Sequence, residues 1–131
     1  MKQFCIKLIL GFANYFTRKD ESIYDTFNLI VGRNPLILMF FFIVTTILNL
    51  FNYNPFYFLE GLEKLERLVI LFLCYLIVLP LFILIFPTSE IKKVTLDESQ
   101  LKYYYRLNAI LLFSIVFLSM LLSLHKDGLI L

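Results

Sequence analysis

Three runs of this chain contain no Asp, Glu, Lys, Arg or His: residues 35–53, 68–86 and 107–124. Each is close to the ~20 helical residues that cross about 30 Å of hydrocarbon. A lipid-exposed backbone must satisfy its own hydrogen bonds, so the runs are expected to be helices. Apolar residues follow one another without the every-second-place alternation of a membrane β-barrel. The expected fold is therefore an all-α integral membrane protein with three transmembrane helices.

Composition agrees with lipid as the solvent. Sixty per cent of the 131 residues are hydrophobic, 15 of them Phe, and the mean hydropathy is +0.83. A soluble domain is nearer 45–50% apolar. A chain this short in water would leave large apolar patches uncovered. The two cysteines, Cys5 and Cys74, fall in different segments and match no metal-type spacing, so neither a disulfide nor a metal site is expected.

Orientation follows the distribution of Lys and Arg beside the runs. Nine flank the first run on its N-terminal side or lie between the second and third; three lie on the other side. The N terminus is expected in the cytoplasm and the C terminus outside. Residues 1–33 form the expected cytoplasmic-side segment, and 34–131 the membrane domain. Within "MKQFCIKLILGFANYFTRKD", Gln3, Lys7, Gly11, Asn14 and Arg18 share one helical face, with Phe4, Cys5, Leu8, Phe12, Tyr15 and Phe16 opposite. That pattern predicts an amphipathic helix lying in the membrane interface. No small-residue cleavage site follows it, unlike a signal peptide. A second short helix is expected from Ser22, where "SIYD" resembles a capping box, to Gly32 before Asn34–Pro35.

The connections are expected to prolong the spans. Asn54 and Pro55 suit an N-cap and first helical position, and Glu60–Lys64 and Glu63–Arg67 are i,i+4 pairs in the favourable order. They predict a helix projecting from the outer surface, with Glu60, Glu63, Lys64 and Arg67 as a contact surface. Pro80 is expected to kink the second span. Thr95 and Glu98 are spaced as a capping box that starts the third helix at Leu96. Lys7, Arg18, Lys102, Tyr103, Tyr104, Tyr105 and Arg106 are the expected lipid anchors, cations toward phosphates and aromatic rings at the boundary.

No catalytic motif can be assembled: there is no phosphate loop, no Ser/His/Asp set and no intramembrane carboxylate pair. An enzyme is not expected, nor is a cofactor, a metal or a nucleic-acid partner. Charge-free spans also speak against a self-sufficient coupled transporter. Uncharged polar residues remain. Thr45, Asn49 and Asn52 share one face of the first span; Asn108, Ser119 and Ser123 share one of the third. Such side chains hydrogen-bond between helices, either within this chain or toward another membrane protein.

The expected partners are the bilayer and another integral membrane protein or a second copy. Three spans, short loops and an N-in, C-out topology are similar in plan to immunity proteins against pore-forming bacteriocins and to accessory subunits of membrane complexes. The similarity is one of plan, and it implies a non-enzymatic binder in a bacterial cytoplasmic membrane. The alternative expectation is a self-assembling, holin-like pore or transport component, whose polar faces would line water.

Overall fold

The computed structural model describes residues 1–53 and 60–128. Among them five helices follow in order: α1 (Lys2–Phe16), α2 (Thr26–Leu50), α3 (Lys64–Ile85), α4 (Thr88–Ile91) and α5 (Glu98–Lys126). No strand occurs among the described residues. Three helices, α2, α3 and α5, are long and apolar enough to cross a membrane. Their 25, 22 and 29 residues correspond to about 38, 33 and 44 Å at 1.5 Å per residue.

The core lies at one end of the molecule. Ile6, Ile9, Leu10 and Ala13 of α1 meet Leu29 and Ile37 of α2, together with Phe82 and Phe86 at the end of α3 and Ile91 of α4. Two glycines set how closely α1 approaches its neighbours. A Cβ on Gly32 would lie 2.5 Å from the Ile9 carbonyl oxygen, and one on Gly11 would lie 2.6 Å from the Tyr105 nitrogen. Both contacts are with backbone, so a side chain at either place forces whole helices apart.

This packing changes the reading of α1. Of the six residues expected on its membrane face, only Leu8 is buried; Cys5 and Phe12 are half-buried, and Phe4, Tyr15 and Phe16 are exposed. The buried stripe instead includes Gly11, which the wheel put on the polar face. The wheel registers polarity, whereas close packing rewards small size, and Gly11 is the one residue of α1 that admits the α5 backbone.

Four expected boundaries also move. The break before Pro35 does not occur: α2 begins at Thr26 and runs through Pro35 to Leu50, across the expected domain boundary between 33 and 34. A proline removes only one donor from such a helix, a loss membrane helices tolerate. The "SIYD" stretch forms turns rather than helix, with the Tyr24 backbone N–H donating to Ser22 Oγ at 3.2 Å. The first span ends early, because Asn52 adopts φ +62°. α3 begins at Lys64, and the expected N-cap at Asn54–Pro55 lies outside the described residues. Pro80 sits within α3 without ending it.

α5 starts two residues later than expected. Asp97, not Thr95, is the N-cap: its Oδ1 accepts from the Gln100 N–H at 2.7 Å, and Gln100 Oε1 accepts from the Asp97 N–H at 3.2 Å. The sequence holds two overlapping boxes, Thr95-x-x-Glu98 and Asp97-x-x-Gln100. Asp is the better N-cap of the two.

Candidate functional site

The polar residues gather into two junctions, one at each end of the α2–α5 pair. At the end away from α1, Asn49 Nδ2 donates to Ser123 Oγ at 3.4 Å. The Lys126 ammonium donates to Asn49 Oδ1 at 3.0 Å and also to the Asn49 carbonyl. Two residues expected on a recognition face therefore bind each other, and Lys126, just past the third run, closes the helix end. Thr45 donates back to the Phe41 carbonyl at 2.8 Å. Asn52 is exposed on the turn after α2. Ser119 is half-buried and makes no hydrogen bond among the described residues. The expected continuous polar face thus becomes one interhelical link and one self-satisfied hydroxyl.

At the α1 end the polar groups are more deeply buried. Asn108 is 0% exposed and its Nδ2 donates to the Leu8 carbonyl of α1 at 3.2 Å. Arg33 is 1% exposed. Its Nη2 donates to the Phe86 carbonyl at 2.7 Å and to Thr88 Oγ1 at 3.4 Å. Phe86 caps the C-terminal end of α3, where unpaired carbonyls carry partial negative charge, so a cation is well placed. Tyr75 O–H donates to Asn34 Oδ1 at 2.6 Å. Lys2 pairs with Glu90 at 2.6 Å, and Tyr24 O–H donates to the Val94 carbonyl at 2.8 Å. The connection from α3 to α5 is thereby held by three side chains from the first third of the chain.

Arg33 was expected only as a flanking charge. A sequence signal existed: Leu29, Arg33 and Ile37 fall at i, i+4 and i+8 on one stripe, and all three are buried. Its neutral partners leave Nε without an acceptor, as Asn108 Oδ1 is without a donor.

The expected lipid anchors divide. Tyr105 stacks on Tyr15 with centroids 4.5 Å apart and planes 5° from parallel. Tyr104 meets Phe4 edge-on, and the Lys7 ammonium stands 5.7 Å from the Tyr104 ring centroid. These rings join α1 to α5. Lys102 pairs with Glu98 at 3.0 Å on the exposed side. Tyr103, Arg106 and Arg18 remain exposed. Burial pushes the Cys5 thiol above its usual range, outweighing the nearby terminal amine. The thiol is thus held protonated and poorly nucleophilic.

The ladder expected from Glu60 to Arg67 does not form. Arg67 Nε donates to the Leu62 carbonyl at 2.9 Å, and the Glu63 N–H donates to Glu66 Oε2 at 3.1 Å. With the helix starting at Lys64, Glu60 precedes the first turn and the i,i+4 spacing loses its meaning there. Glu60, Glu63, Lys64 and Arg67 are all exposed.

Beyond these junctions lies an uncovered helix. Phe82 is the one buried side chain of α3. Leu73, Ile77 and Leu84 are 52%, 69% and 76% exposed and lie on one side of it. Three long apolar helices, two of them with a single buried residue each, define an all-helical membrane protein. Compared with family models, with curated proteins and with solved structures, the chain matches none.

Proposed function

We propose that this chain is a non-enzymatic protein that binds another integral membrane protein within the bilayer, on the plan of an immunity protein or an accessory subunit. The bare flank of α3 carries this reading. Of the polar groups of α2 and α5 that looked available for recognition, Thr45, Asn49, Asn108 and Ser123 are engaged within the chain. The Leu73–Ile77–Leu84 flank has no intramolecular role, and a partner helix packing there would gain close van der Waals contact. The membrane is a bacterial cytoplasmic one in this reading, with α1 on the cytoplasmic side and exposed Phe4, Tyr15 and Phe16 at the lipid boundary. The N-in, C-out direction rests on the Lys and Arg asymmetry. The pore alternative is disfavoured because Asn49 and Ser123, which would line water, bond to each other.

A photocrosslinking residue at Ile77 should trap a discrete protein partner in the native membrane, whereas one at buried Ile37 should not. Lipid adducts alone at Ile77 would defeat the reading. Expression in a host should cause neither growth arrest nor dye leakage, and either would favour the pore.

A further inference from the structure

The opposite side of α3 carries a different feature. A groove of about 450 Å³ runs between α2 and α3, walled by Leu38, Phe41, Phe42 and Thr45 on one side and Leu71 and Tyr75 on the other. Its two hydroxyls are committed elsewhere, Thr45 to the Phe41 carbonyl and Tyr75 to Asn34. The groove therefore offers an occupant no polar handle along its length.

Size and charge select among occupants. A helix about 10 Å across fills roughly 420 Å³ per turn, so the groove would take little more than one turn of helix. A single hydrocarbon chain, far thinner, can lie along the whole groove. At 100° per residue, Lys64, Leu71 and Tyr75 fall within about 40° of one another on α3, with Arg67 about 60° to one side. Both cations are exposed and neither forms a salt bridge among the described residues. Glu66 lies about 200° from Lys64, and its carboxylate accepts from the Glu63 N–H. Glu63 is the nearest acid, about 100° from Lys64 and about 40° from Arg67, and it forms no ion pair with Arg67, whose Nε donates to the Leu62 carbonyl. The groove-facing stripe thus reads as two cations over an apolar channel, which is the shape of a phospholipid.

We propose that the α2–α3 groove binds one acyl chain of an anionic phospholipid, with its phosphate held by Lys64 and Arg67. The chain's apolar contacts are with Phe41, Phe42 and Leu71, and the phosphate meets the ammonium and guanidinium where α3 begins. The site is independent of the partner face, which lies about half a turn round α3.

The chain has no tryptophan, so single Trp reporters can be read cleanly. Phe42→Trp places one in the groove wall, and Leu84→Trp places one on the bare flank. Full-length protein is reconstituted in phosphatidylcholine vesicles with rising amounts of phosphatidylglycerol brominated on its acyl chains. Quenching of the Phe42→Trp reporter should saturate at low mole fraction, while the Leu84→Trp reporter follows bulk composition. Lys64→Gln and Arg67→Gln should each raise the half-saturating fraction about fivefold. Far-UV circular dichroism checks that these exposed substitutions leave the helices intact. Two results would overturn the site: a Phe42→Trp reporter that follows bulk composition, as ordinary boundary lipid would make it, or one that no brominated lipid quenches, as a helix seated in the groove would make it.

Discussion

α2 and α3 are both long apolar helices with an internal proline, yet one is the hub of the fold and the other is nearly bare. Seven residues of α2 are buried against one of α3. Hydrophobicity does not explain the contrast, since lipid tails solvate Leu as well as protein does. Helices associate in a membrane where small residues let backbones approach and where polar groups can pair. α2 has both, in Gly32 for the α1 backbone and in Arg33, Asn34 and Asn49 for hydrogen bonds. α3 is built of bulky side chains, with no Gly, Ala or Ser between Lys64 and Ile85. Its attachments are few: Tyr75 to Asn34, the Phe86 carbonyl to Arg33, and Phe82 edge-on to Phe40.

The contrast can be broken most directly by making the same truncation on both helices. Ile37→Ala removes a side chain that is 1% exposed and should cost about 2–5 kcal/mol. Ile77→Ala, at a position 69% exposed, should stay within about 0.5 kcal/mol. Reversible unfolding in mixed micelles reads both, and equal losses would mean that α3 is packed in the monomer after all. Next in size is Arg33→Met, which leaves the Phe86 carbonyl without its charged donor. A loss of about 1.5–3 kcal/mol is expected, with faster proteolysis of the 86–97 connection. Unchanged proteolysis would show that Lys2–Glu90 and Tyr24–Val94 suffice to hold it. The smallest loss from breaking a contact belongs to Tyr75→Phe, which deletes one interhelical hydrogen bond and should cost about 0.5–1.5 kcal/mol. Paired spin labels near Phe72 and Phe42 should report a broader distance distribution in that variant than in the parent chain, and identical distributions would remove Tyr75 as a fastener.

The comparison also marks what can be read from sequence. The three long apolar helices were legible because absence of charge over 18 or 19 residues is a local property. The cap of α5 was legible to within two residues, since Thr95 and Asp97 each begin a valid box and the choice between them turns on small differences, whereas the box expected at Ser22 lies in turns and α2 starts at Thr26. The burial of Arg33 is legible in part, from its place on the Leu29–Ile37 stripe, but its partner is not, because that partner is a carbonyl 53 residues away. Gly11 was misread because a helical wheel sorts residues by polarity, whereas its role is to have no side chain where α5 crosses. The candidate site changed for the same reason. Asn49 and Ser123 share polarity with a recognition face, but only three-dimensional placement reveals that they meet each other.

The clasp on the α3–α5 connection also bears on the order of events during synthesis. Arg33, Tyr24 and Asn108 close hydrogen bonds over 53, 70 and 100 residues of chain. α1 and the first half of α2 leave the ribosome first, and they must wait for α3 and then α5 before Ile9, Gly11 and Arg33 acquire their neighbours. Long-range contacts repay their loop-closure cost late, so the end of the molecule with the deepest burial, though it holds the first residues made, is completed only when α5 arrives. Until α5 arrives, the nascent chain carries an arginine and an α1 face without their final partners. During that interval it is most open to capture by other membrane components or by quality-control proteases.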